Sequence, residues 1–162
     1  MKILANDGIS PSGKEALEAA GFTVVTETVA QDKLIETINA EGYAALLVRS
    51  ATTVRKDLID ACPNLKLIGR GGVGMDNIDV EYARSIGREV INTPAASSQS
   101  VAEMVIGQMF SISRSLYDSE RNMPNSKDAA GFKTLKKKYA KGVELRVKTL
   151  GIIGFGRIGQ NI

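Results

Sequence analysis

Short apolar runs and amphipathic stretches alternate along the first 95 residues. Residues 2–6 predict a strand. Ser10, Pro11 and Ser12 then open a helix, with Ser12 and Glu15 spaced as a capping box. Leu17 and Ala20 lie on its apolar side, and Gly21 ends it. Residues 22–26 predict a second strand. A helix over 32–40 turns Leu34, Ile35 and Ile38 inward and is closed by Gly42. Residues 44–48 are apolar without interruption, as in a strand covered on both faces. After the polar stretch 49–53 come a short helix over 55–61 and a strand over 65–69. A glycine-rich turn from Arg70 to Gly74 follows. The last pair is a helix over 80–86, stopped by Gly87, and a strand over 89–92 that Pro94 breaks.

Five strands with helices between them require a parallel sheet with right-handed crossovers. The simplest order is flavodoxin-like, 2-1-3-4-5, giving a doubly wound α/β domain over residues 1–95. The next stretch is different. Residues 97–117 place Val101, Val105, Ile112 and Leu116 at heptad-like spacing, and Met104, Ile106, Met109 and Phe110 widen the face. That pattern predicts one long helix buried on more than one side. Residues 122–132, with Pro124 and Gly131, read as a loop. A short basic helix over 133–140 and then Gly142 lead to another apolar run at 148–153.

That run ends in Gly154-Phe-Gly156-Arg157-Ile158-Gly159. A strand ending in G-x-G-x-x-G opens a dinucleotide-binding βαβ unit. Gly154 would allow the tight turn, Gly156 the approach of backbone to pyrophosphate, and Gly159 close helix packing. Alone, the motif is equally compatible with a plain βα turn. The acidic residue that would complete it, about 20 positions on, lies beyond Ile162.

Hydrophobic content of 43% and charged content of 24% belong to a soluble globular protein. No apolar run nears the ~20 residues of a membrane span. The N-terminus is not a signal peptide, so the expected location is cytoplasmic. With no histidine and a single cysteine, Cys62, the chain holds no disulfide framework, no metal-ligand cluster and no histidine-based triad. Acid–base chemistry would fall to Lys, Glu, Asp, Arg or Tyr. The net charge of +3 hides an asymmetry: 13 Lys/Arg face 17 Asp/Glu up to Phe132, then 8 basic residues face Glu144 alone. Only Tyr139 accompanies the run Lys136-Lys137-Lys138, which therefore predicts a solvated helix face and no nucleic-acid partner.

Several stretches fall in a telling order: Leu47-Val48-Arg49-Ser50, then Ile68 through Asp79 with Arg70-Gly-Gly-Val-Gly74, then Val90-Ile91-Asn92-Thr93-Pro94. Ser100-Val101-Ala102-Glu103 and Gly154 to Gly159 complete the set. Together they resemble the D-isomer-specific 2-hydroxyacid dehydrogenases, most closely the branch acting on 3-phosphoglycerate in serine biosynthesis. The resemblance implies an NAD-dependent oxidoreductase with a substrate domain over 1–95 and the start of a Rossmann nucleotide domain over 96–162. It places Arg49, Ser50, Arg70 and Gly72 on a small anionic 2-hydroxy or 2-keto acid. It places Val73, Gly154, Gly156, Arg157, Ile158 and Gly159 on the cofactor, and makes the 97–117 helix a homodimer interface.

Plainer roles exist for some of these residues. Ser50 could cap a turn, Gly71, Gly72 and Gly74 could serve the turn alone, and Glu103 suits a helix surface better than catalysis. The family's hydride-transfer arginine, acid and histidine (lysine in some branches) come after the dinucleotide turn. The resemblance thus implies an N-terminal fragment with no catalytic residue of its own and no activity. It also puts glycine where this chain has Val147, a strained choice if the backbone there has positive φ. Two alternatives stay open: a dehydrogenase for glycerate, lactate or glyoxylate, and a non-enzymatic flavodoxin-like module that binds an anion through Arg49 and Arg70.

Overall fold

The structure is a computed structural model describing residues 1–162, which divide into two compact units, Met1–Ala96 and Ser97–Ile162. In the first, β1 (Lys2–Ala5), α1 (Pro11–Ala19), β2 (Thr23–Val25), α2 (Leu34–Glu41) and β3 (Ala45–Val48) lead into α3 (Lys56–Ala61), β4 (Leu67–Arg70), α4 (Val80–Ser85) and β5 (Glu89–Asn92). All strand pairs are parallel, in the order β2-β1-β3-β4-β5. The alternation of elements therefore fixes the topology as expected.

Register explains the core. Leu4, Leu46, Ile68 and Val90 stand side by side across four strands, and none is more than 5% exposed. Leu34 and Ile38 of α2, Leu58 and Ile59 of α3 and Ala83 of α4 pack into the same cluster. The opposite face buries Ile3, Ala5, Val24 and Ala45 against Leu17 of α1 and Phe22. The asymmetry follows from handedness. The β1-to-β2 crossover runs one way along the sheet and the later three run the other, so right-handed connections put α1 alone on its face. The row Ala5, Leu47, Gly69, Ile91 on that face accordingly goes from fully buried at Ala5 to 47% exposed at Ile91.

Local signals needed one correction here. Ser10, not Ser12, caps α1, its Oγ accepting the Gly13 N–H at 3.1 Å, and no Ser12–Glu15 box forms. Pro11 occupies the first helical position, which leaves the residue before it as the cap.

The second unit departs further. The predicted helix over 97–117 is two helices, α5 (Ser98–Arg114) and α6 (Leu116–Asn122), separated by Ser115 in the left-handed region at φ +52°. Nor is the face buried on several sides: of α5 only Ser98 and Ala102 are buried, while Met104 is 67% and Ile112 80% exposed. The predicted loop over 122–132 already contains the start of α7 (Ala129–Tyr139), because the Asp128 carboxylate caps it by accepting the Gly131 N–H at 2.6 Å. The lysine run lies on this exposed helix, with Lys138 paired to Asp118 of α6 at 2.8 Å. Tyr139 also donates to that carboxylate, at 2.7 Å.

No strand forms at 148–153, contrary to expectation. Leu150, Ile152 and Ile153 are exposed, Ile153 completely. A strand is defined by its ladder, and these six residues have no neighbouring strand with which to exchange hydrogen bonds.

At the start of the run, the Lys148 N–H donates to the Leu145 carbonyl at 3.1 Å, closing a turn whose third residue is Val147 at φ +56°. Positive φ at that position is the type II pattern that favours glycine, and a β-branched side chain is strained there. Val147→Gly is expected to stabilise the turn by about 1 kcal/mol. Hydrogen-exchange protection of the Lys148 amide should rise about fivefold, and unchanged protection would count against strain at Val147.

Candidate anion site

In an open parallel sheet, ligand-facing residues collect where the strands end. Here β1 runs out into Asn6, Asp7 and Gly8 and β3 into Arg49, while β4 ends on Arg70 before Gly71 and β5 on Asn92 before Thr93. A cavity of about 690 Å³ opens at this edge, lined by Asp7, Gly8, Ile9 and Ser10, by Arg49, Arg70 and Gly71, and by Asn92 and Thr93. Leu47, Gly69 and Ile91 form its apolar floor.

The two arginines give the cavity its charge. Neither takes part in any of the five ion pairs of the chain. Arg70 is half-buried, and its Nε is buried without a hydrogen-bond partner. Its head lies over Gly72, where a Cβ would collide with Arg70 Nη1. The stem of Arg49 passes over Gly71 in the same way, with Cγ 3.4 Å from where a Cβ would stand. Two guanidiniums from adjacent strands, neither engaged in an ion pair, can hold a small carboxylate or phosphate through paired N–H···O contacts.

The loop carrying Arg49 has no regular structure and is fixed by side chains instead. Asp7 Oδ2 accepts the backbone N–H of Arg49 at 2.6 Å and of Thr52 at 3.1 Å, and Oδ1 accepts the Thr52 hydroxyl. Asn77, itself buried, donates Nδ2 to the carbonyls of Arg49 (2.8 Å) and Thr52 (2.7 Å). Buried Asn6 donates to Thr52 Oγ1 at 2.8 Å, while Gln31 grips both the N–H and the carbonyl of Thr53. Burial is the largest single influence on Asp7 and works to raise its pKa. The Thr52 hydroxyl and the backbone N–H groups of Arg49, Thr52 and Ala51 together outweigh it and hold the carboxyl below its ordinary value.

Of the residues singled out from sequence, Arg49 and Arg70 share the cavity. Ser50 is exposed and does not line it. Gly72 lies beneath Arg70. Val73 is 48% exposed outside the cavity, its carbonyl accepting Asn92 Nδ2 at 2.7 Å. Asp7, Asn6, Thr52 and Asn77 were not foreseen. The one available signal was the polar Asn6-Asp7 pair at the carboxyl end of the first apolar run.

The glycine motif forms a turn without its strand. Gly154 sits at φ +91°, closed to L side chains, and a Cβ on Gly159 would come 2.5 Å from the Gly154 carbonyl oxygen. The Cβ side of Gly156 is open, and the Gln160 N–H donates to the Gly156 carbonyl at 3.0 Å as a first helical turn. Arg157 and Ile158 are exposed. The turn thus has a tight bend at Gly154, an open backbone at Gly156 and close packing at Gly159.

The model of the D-isomer specific 2-hydroxyacid dehydrogenase catalytic domain matches residues 3–151. The chain is 41% identical over its full length to a D-3-phosphoglycerate dehydrogenase of Methanocaldococcus jannaschii, covering 29% of that protein. It is 43% identical over 149 residues, 92% of its length, to a hydroxypyruvate reductase of Thermotoga maritima, covering 44% of that protein. The chain thus spans less than half the length of these curated relatives. Among solved structures, the TT0316 protein of Thermus thermophilus superposes with a TM-score of 0.81 at 23% identity, over 99% of this chain and 51% of that one. The NAD-dependent formate dehydrogenase of Staphylococcus aureus, solved in complex with NAD, gives 0.73 at 25% identity over 99% and 50%.

Proposed function

The chain belongs to the D-isomer specific 2-hydroxyacid dehydrogenase family, and we propose that it is the substrate-binding portion of an NAD-dependent D-3-phosphoglycerate dehydrogenase. The observation that carries this reading is the pair of arginines at the ends of β3 and β4, sharing one cavity and unpaired by any carboxylate. Arg49 and Arg70 bind the carboxylate and phosphate of the substrate. The apolar floor of Leu47, Gly69 and Ile91 sheds water around its carbon backbone. Ser50 and Gly72 belong to the same binding region, Gly72 by leaving room for the Arg70 head. Val73, Gly154, Gly156, Arg157, Ile158 and Gly159 hold the cofactor, whose nicotinamide supplies a hydride acceptor when bound. The reaction is reversible oxidation at C2 of the hydroxy acid, carried out in the cytoplasm as a step towards serine. The exposed apolar residues of α5 and α6, among them Phe110, Ile112 and Leu116, serve self-association into a homodimer.

The proton from the substrate hydroxyl needs a base that this cavity does not offer. The chain has no histidine, and Asp7 already accepts several hydrogen bonds. The 162-residue chain is therefore expected to give no NAD-linked oxidation of 3-phosphoglycerate above a no-enzyme control. It should nonetheless bind the substrate. Calorimetric titration should show 3-phosphoglycerate bound more tightly than glycerate, since the second guanidinium then has an anion to engage. The relative named hydroxypyruvate reductase favours a second reading, an unphosphorylated substrate. Equal affinity for the two ligands would establish that reading, and absence of binding by either would remove both.

A further inference from the structure

Arg49 leaves the sheet directly after Val48, the last residue of regular pairing in β3. Val48 is held in register against Arg70, but from Arg49 to Thr53 the backbone has no strand pairing to follow. Its direction is set by two side chains that come from other parts of the fold. Asp7, at the exit of β1, takes the N–H groups of residues 49 and 52; Asn77, before α4, takes their carbonyls. Both peptide faces of Arg49 are thus gripped, 42 and 28 residues away in sequence. Asp7 is the only carboxylate at a cavity otherwise charged by Arg49 and Arg70. A negative group there opposes anion binding by simple Coulomb repulsion. Its place is explained by what it does to the loop.

We propose that Asp7 is a positioning residue for Arg49: its carboxylate fixes the 49–52 backbone so that the Arg49 guanidinium faces the same cavity as Arg70. The inference rests on the anion-binding role given to Arg49 above. It carries a sign that separates it from electrostatics. Asp7→Asn removes a negative charge from an anion site, which alone would tighten binding. It also removes one of the two acceptor oxygens that hold the loop, since an amide nitrogen cannot accept the Arg49 and Thr52 N–H groups. Positioning predicts the opposite result, weaker binding.

Anion affinity is measured with 3-phosphoglycerate and with inorganic sulfate on the 162-residue chain, for the parent, Asp7→Asn, Asp7→Glu and Arg49→Ala, and for Asp7→Asn combined with Arg49→Ala. Asp7→Asn is expected to weaken binding about tenfold, and Asp7→Glu to recover part of the loss. In the Arg49→Ala background, Asp7→Asn should cause no further loss. Tighter or unchanged binding in Asp7→Asn would overturn the proposal, as would an equal loss in both backgrounds.

A second readout needs no ligand. The amide shifts of Arg49 and Thr52 in a nitrogen-15 spectrum should move together as pH falls through the Asp7 titration, below the usual carboxylate range, and stay flat in Asp7→Asn. The charged groups that line the cavity with Asp7 are Arg49 and Arg70. If the parent binds neither anion while the amides still titrate, the functional reading fails and the loop-fixing role stands. Amides that do not respond to pH would sink the positioning role itself, whatever binds.

Discussion

Arg70→Ala is expected to weaken binding of 3-phosphoglycerate by about 1.5–3 kcal/mol, roughly ten- to 150-fold, the range for hydrogen bonds to a charged partner. Arg70 should matter more than Arg49 because more of its cost is already met. It is half-buried at the end of a central strand, and its Nε has neither a protein partner nor contact with solvent. Its head is confined above Gly72. Little side-chain freedom remains to be lost when an anion arrives. Removing it breaks no ion pair within the chain, so the urea midpoint should barely change. Arg70→Lys keeps the charge and loses the planar fork, and should recover only part of the affinity. Calorimetry on the three proteins decides the matter. Affinity of Arg70→Ala within twofold of the parent would remove Arg70 from the site.

What could be read from the chain was what depends on near neighbours. Apolar runs such as residues 44–48 and the helix stops at Gly21, Gly42 and Gly87 are local, and the sheet order followed from them through handedness alone. The arginines were legible because they directly follow apolar runs, at the edge where such sheets expose ligands. The failures share a cause. The break at Ser115 has no proline or glycine to announce it, and the start of α7 was masked by Gly131 although Asp128 is a good cap. The run 148–153 has a strand's composition but no partner strand, and composition cannot supply a ladder. The hydrogen-bond network about Arg49 joins residues 6, 7, 52 and 77, a juxtaposition that only the folded sheet creates.

That network hangs from the sheet core, and the core gives the largest expected stability effect. Leu46→Ala should cost about 3–5 kcal/mol. Leu46 is fully buried in the middle strand, in register between Leu4 and Ile68, each also fully buried, and packed in the cluster that includes Leu34, Ile38 and Leu58. Neighbours held that tightly on every side cannot close in on the space left behind. Domains of this kind are stable by only about 5–15 kcal/mol, so a large share of the folding free energy of the first unit would be lost. Leu47 provides the internal control. It is next in sequence but faces the side covered by α1 alone, is only partly buried, and forms the cavity floor. Leu47→Ala should cost less than half as much, because part of that surface is already open to water. Urea unfolding followed by circular dichroism at fixed temperature measures both. A loss below about 1 kcal/mol for Leu46→Ala, or equal losses for the two leucines, would contradict the division of the sheet into one fully covered face and one half-covered face.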